Sequence, residues 1–222
     1  WNEQIGMKID ELISNVPDDC ALCWVSFTNQ EINMANHFVN STLKPVTAES
    51  GDADQQEVLS LALKQVGFIP NMYANMVNLA PVLFTYLHGY DEFRNKSGFG
   101  PVEQEVVFLA LSLSNGCKYC GAAHSMLADK MSGVPANVLA AIREGKPIPD
   151  TRLQTLYDFT VELVNEKGKV SPATGEKFKA AGFTDKHVMG VILAASVKTL
   201  SNFSNHFFET ELDEKFAAYK LD

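Results

Sequence analysis

Four side chains near the middle of the chain have the types and spacing for redox chemistry: Glu105, Cys117, Cys120 and His124. Positions 117, 120 and 124 are separated by three, four and seven residues. On a helix these steps return to within roughly 60° of one face, at about 100° per residue. Two sulfurs and an imidazole are therefore presented together. Asn115-Gly116 precedes them and places the cysteines in the first turns of their helix, where free backbone N–H groups and the helix dipole favour thiolate over thiol. A thiolate attacks a peroxide oxygen or a disulfide sulfur. A second thiol one turn away then closes the intermediate into a disulfide. His124 follows Cys120 by one turn and is placed to take its proton. Cys117 is two turns from the ring, about 10 Å along the axis.

The same residue types also suit zinc, so the motif leaves redox chemistry and metal binding both open. Glu105 stands among Val106, Val107, Phe108 and Leu109, at the edge of a core rather than on a solvated helix start. The remaining cysteines, Cys20 and Cys23, form a second Cys-x-x-Cys pair in the apolar run ALCWVSF and read as buried and inert. More than ninety residues separate the two pairs, far beyond a zinc-ribbon spacing.

The motif is positioned by helices. Val58, Leu59, Leu61, Leu63 and Val66 recur at helical spacing up to Gly67, Ala80-Pro81 breaks the next stretch, and Val82 to Phe93 resumes it. Gly98-Phe99-Gly100-Pro101 stops one helix and starts another. The next, Glu103 to Ser114, is apolar on nearly every face, as a buried helix would be. Further helices are expected over Cys117 to Lys130, between Pro135 and Gly145, over Thr151 to Lys167, from Ser171 to about Ala181, and from Lys186 to Phe203 or beyond. No alternating strand pattern follows residue 55, so the fold class is all-α, a helical bundle. Residues 1–54 read as an N-terminal extension and linker, and 55–222 as the helical domain. Within 1–54, Lys8 to Val16 reads as a short helix and Ala21 to Phe27 as a strand or buried loop.

Composition limits the partners. Eighteen Lys and Arg against 27 Asp and Glu give a formal charge of −9, which repels phosphate backbones and anionic lipid. The longest apolar run, Val188 to Val197, is about half a bilayer span. The N-terminus has neither the basic start nor the apolar core of an export signal, so the expected compartment is the reducing cytoplasm.

The run EQEVVFLALSLSNGCKYCGAAHSMLA, with its Glu-x11-Cys-x-x-Cys-x3-His pattern, resembles the core of the alkylhydroperoxidase D and carboxymuconolactone decarboxylase superfamily. The segments Gly67-Phe68-Ile69-Pro70-Asn71-Met72, Lys198-Thr199-Leu200-Ser201-Asn202-x-x-Asn205-His206 and Thr210-x-Leu212-Asp213 are similar to its peroxidase-related subgroup. The resemblance spans roughly residues 55 to 215. It implies an all-α fold and reduction of alkyl hydroperoxides, with Cys120 attacking, Cys117 resolving, and Glu105 and His124 passing protons. It implies no cofactor. The partners it implies are a small hydroperoxide, a protein or small-molecule thiol reductant, and further copies of the chain, with no nucleic acid and no membrane. The decarboxylase branch lacks the paired cysteines, which makes lactone decarboxylation the lesser expectation. One position departs: family peroxidases often carry a second His between the cysteines, where this chain has Tyr119, which implies a proton relay that is either weaker or routed differently.

A shift of 82 residues overlays the motif on the last long helix, with Glu105 on His187, Cys120 on Asn202 and His124 on His206. This is the pattern of a repeated helical unit whose second copy lost its sulfurs. Three functions stand at this point: a thiol peroxidase or dithiol–disulfide oxidoreductase, a zinc-binding protein, and a non-catalytic oligomeric helical module.

Overall fold

Helix boundaries follow the punctuation of the sequence. The computed structural model describes residues 37–221. The short helix, strand or loop, and Cys20/Cys23 pair expected nearer the N-terminus lie outside them. Asp52 opens α1 (Ala53–Val66) by accepting from the Gln55 N–H at 2.9 Å, and the Gln55 side chain accepts from the Asp52 N–H at 3.0 Å. This reciprocal cap satisfies two donors that the first turn leaves free. A short α2 (Asn71–Met76) leads to α3 (Ala80–Lys96). Ala80-Pro81, expected to break a helix, begins this one, because a residue without an N–H fits the first turn.

The next elements are α4 (Pro101–Ser114), α5 (Lys118–Lys130), α6 (Ala136–Arg143), α7 (Thr151–Asn165), α8 (Pro172–Ala180), α9 (Asp185–Phe208) and a 3-10 turn over Glu214–Tyr219. There is no strand among the described residues, and the class is all-α. No helix among them is long and apolar enough to cross a membrane.

The all-apolar α4 is the axis of the molecule. It packs against α5, α7 and α9, and Val106 to Leu111 are wholly buried within this one chain. Each such side chain contributes about 1.5–3 kcal/mol by leaving water. One apolar cluster joins α4 to α6, α7 and α8. A second gathers α1, α2, α3 and the start of α5, and it includes Cys117 and Cys120. Tyr90 of α3 packs against both. The chain before α1 lies along this second cluster: Val46 is buried and its N–H donates to the Ala74 carbonyl at 2.8 Å.

Close approach of α9 to α3 depends on a glycine. A Cβ on Gly89 would lie 2.9 Å from Val197 Cγ2, tighter than side chains tolerate. With a glycine there, α9 comes near enough to bring its inner face over the cysteine pair.

Candidate active site

The turn between α4 and α5 sets the position of the first sulfur. Gly116 adopts φ +68, which costs glycine little, and its N–H donates to the Leu113 carbonyl at 3.0 Å. The Cys117 N–H donates back to Ser112 at 2.9 Å, completing a Schellman closure of α4. Cys117 is thus the residue capping the start of α5, and Cys120 lies in its first turn. Both are buried, at 2% and 1% exposure, and both are free thiols.

The structure brings the four sequence-selected residues together as two pairs. Glu105 and His124 form one, with His124 Nδ1 2.8 Å from Glu105 Oε2. Cys117 and Cys120 form the other. The neighbouring Cys120 sulfur first, and burial second, push the Cys117 thiol well above the usual thiol range. Burial also raises Cys120, but the Cys117 thiol and the nearby Lys198 charge outweigh it and hold Cys120 well below an ordinary cysteine. Neither sulfur makes a hydrogen bond to His124. Cys120 instead meets the Asn205 amide, whose Nδ2 donates at 3.3 Å, and the Ser201 hydroxyl at 3.9 Å. The same Nδ2 reaches Cys117 Sγ at 3.6 Å and Met72 Sδ at 3.3 Å.

Glu105 is fully buried and triply held. Arg94 reaches its Oε1 at 2.6 Å, Ser132 donates to Oε1 at 3.2 Å, and His124 contacts Oε2. Burial pushes the carboxyl up, but His124 and Arg94 bring it below the usual carboxylate range. His124 is pushed down to about 4, by burial first and by the Lys198 charge next, with Glu105 opposing. The imidazole is accordingly neutral near pH 7. Its Nδ1–H donates to Glu105, and Nε2 is left as the basic atom. Arg94 is held in turn by the Tyr90 hydroxyl at 2.6 Å, and its guanidinium lies 4.8 Å from the centroid of the Phe108 ring.

Sequence reasoning missed Arg94, Lys198, Ser201 and Asn205. The last three fall in the segment similar to the peroxidase-related subgroup, but no cysteine or histidine spacing tied that segment to the motif. Tyr119 donates its hydroxyl to Asp213, and burial together with that carboxylate raises it far above the ordinary tyrosine range. It is fixed in place and carries no proton for the pair. The overlay of α9 on the motif brings Asn202 close, where it accepts from the Asn115 amide at 2.9 Å. It does not bring His206 or His187 to the sulfurs: His206 packs edge-on to His37, and His187 caps Thr184.

Cys117 borders two surface clefts, of about 780 and 230 Å³, and Cys120 borders neither. A third, more enclosed cavity of about 330 Å³ is lined by Tyr73, Tyr86, Tyr90 and Phe216, with Tyr119 and Ala123 from α5. No group of three or more His, Cys, Asp or Glu among the described residues is arranged to hold a metal ion.

A dithiol at a helix start and a buried Glu–His pair thus stand on an all-helical frame. Residues 82–154 match the carboxymuconolactone decarboxylase family. The described fold is that of the alkylhydroperoxidase D-like proteins. A similar structure is the alkylhydroperoxidase AhpD core of an uncharacterized peroxidase-related protein from Ralstonia eutropha JMP134. It has 19% identity over 78% of this chain and 93% of that one, with a TM-score of 0.67. An uncharacterized peroxidase-related protein from Silicibacter sp. TM1040 has 18% identity over 86% and 97%, with a TM-score of 0.61. The debrominase Bmp8, solved with 2,3,4-tribromopyrrole, has 11% identity over 82% and 97%, with a TM-score of 0.66. No curated protein matches the chain.

Proposed function

We propose that this chain is a thiol-dependent peroxidase, using Cys117 and Cys120 as a redox pair. The observation that carries the reading is a pair of buried free thiols at the start of α5 that share one amide donor, Asn205 Nδ2, 3.3 Å from Cys120 Sγ and 3.6 Å from Cys117 Sγ. The Cys120 thiolate attacks the terminal oxygen of a hydroperoxide. The O–O bond breaks, an alkoxide leaves, and Cys120 becomes a sulfenic acid. The neutral His124 of the Glu105 pair relays a proton to the alkoxide. The Cys117 sulfur then displaces the sulfenic hydroxyl, which leaves as water, and the disulfide forms. An external dithiol restores the pair: one of its sulfurs attacks the sulfur of Cys117, the one that borders the surface clefts, and its second sulfur then displaces Cys117 from the mixed disulfide as the external disulfide closes. In the first step Cys120 leaves as the better-stabilised thiolate. Access favours Cys117 and ionisation favours Cys120 as the first nucleophile. Ionisation decides, because the thiolate is the reacting species.

The test is the reduced full chain treated with one equivalent of an organic hydroperoxide. The expected product is a mass loss of two hydrogens, located by peptide mapping to a Cys117–Cys120 link. Coupled turnover with a dithiol reductant should then continue. Persistent free thiols at both positions would remove the reading.

The aromatic cavity beside α5 favours a second reading, reductive dehalogenation. An aryl carbon–bromine bond becomes carbon–hydrogen, bromide leaves, and the same two thiols are oxidised to the disulfide. Bromide release from 2,3,4-tribromopyrrole, without consumption of hydroperoxide, would select it.

A further inference from the structure

One face of α9 carries three polar residues against the dithiol: Lys198, Ser201 and Asn205, at steps of three and four. Two of them touch the Cys120 sulfur. The third, Lys198, is 0% exposed, and its Nζ makes no hydrogen bond among the described residues. Its Nζ lies 5.6 Å from the centroid of the Phe108 ring. A buried ammonium without an anion is costly enough that such groups are normally paired. The charges around it do not balance without a thiolate. Arg94 and Glu105 form a closed pair, and His124 is neutral near pH 7. The groups facing Cys120 from α2 and α3 are the phenols of Tyr73, Tyr86 and Tyr90, all pushed above the ordinary tyrosine range by burial and thus uncharged. Tyr119 is likewise a phenol, and the Cys117 thiol is neutral. Among the described residues Lys198 is thus a buried cation without a hydrogen-bond partner, and Cys120 is the neighbouring group able to become its anion.

We infer that Lys198 is the charge partner that keeps Cys120 as a thiolate, and that the Asn205 amide supplies the hydrogen bond that fixes the sulfur beside it. Sequence spacing gives this task to His124. The structure moves it to α9. In this arrangement the Cys120 proton passes to solvent before any substrate arrives. His124 is freed for the later proton relay. The inference deepens the thiol-redox reading and rests on it for its use. It concerns ionisation alone, however, and is tested without peroxide.

The measurement is the pH dependence of iodoacetamide alkylation of the Cys120 peptide in the full reduced chain, read by mass spectrometry. Wild type should alkylate with a midpoint well below the ordinary thiol value of about 8.5. In Lys198→Met the midpoint should rise by about 1–3 pH units, with at least a tenfold slower reaction at about pH 6, the effect of losing an adjacent opposite charge. Lys198→Arg should restore most of the shift. A wild-type midpoint in the ordinary range overturns the inference whatever the variants do, so a misfolded Lys198→Met leaves the test decisive. So does a low midpoint that Lys198→Met leaves unmoved. A chain inert to peroxide but with a Lys198-dependent midpoint keeps the inference and sinks the peroxidase reading. A peroxide-reactive chain with a Lys198-independent midpoint does the reverse.

Discussion

Two side chains, Arg94 and His124, carry consequences that can be measured without any substrate. Arg94 neutralises a carboxylate with no exposure of its own. Removing one member of a buried pair strands the other charge, so Arg94→Met should cost about 3–5 kcal/mol of stability, measured as a shift in the urea midpoint. Its milder companion, Glu105→Gln, keeps a polar group against His124 and should slow peroxide reaction without preventing it. His124 makes a pH prediction of fixed sign. Its folded value, about 4, lies below the 6.5 of the free imidazole. Between these values the unfolded chain binds the extra proton. Stability is therefore full above about pH 6.5 and is lost as pH falls toward 4, by about 3 kcal/mol in all. Urea midpoints measured across that window should fall with acid, and His124→Asn, which keeps a donor toward Glu105, should flatten the slope.

At the scale of elements, the contrast between two helical glycines tests the packing that delivers α9 to the site. Gly89→Ala places a methyl against Val197 and should destabilise by about 1–3 kcal/mol, despite alanine's better helix propensity. Gly175→Ala in α8 meets nothing within 4 Å and should stabilise by about 0.5–1 kcal/mol. Chemical denaturation of both variants separates the two outcomes. The helices themselves were legible because their signals are local. Gly67 closes α1, Asn115-Gly116 turns α4 into α5, and the Leu153, Leu156, Phe159 and Leu163 face of α7 is buried as its spacing requires. The site was legible only as far as its local part, from Glu105 to His124. Arg94 comes from the helix before it, and Lys198, Ser201 and Asn205 come from about eighty residues beyond Cys120. A lysine in an apolar run reads as a surface residue until packing shows what lies over it. Nothing in one chain's spacing states which helix will do so.

On the scale of the whole molecule, the apolar character of α4 and α9 has two different fates. That of α4 is consumed inside the chain. On α9, Met189, Ile192 and Phe203 stay exposed among the described residues, at 63%, 40% and 58%. We therefore place a self-association surface along this face of α9, on the side away from the cysteines. Light scattering at micromolar concentration should give a multiple of the chain mass. Met189→Lys combined with Ile192→Glu should reduce it to the single-chain value, and a wild-type monomer would contradict the proposal. The central claim, a dithiol in which Cys120 reacts and Cys117 resolves, is tested most directly by single-turnover hydroperoxide consumption with a sulfenic-acid trap on each serine variant. The account predicts that Cys117→Ser consumes one equivalent and is trapped as a sulfenic acid at Cys120, while Cys120→Ser consumes none. A trapped Cys120→Ser beside an inert Cys117→Ser would reverse the roles and contradict it.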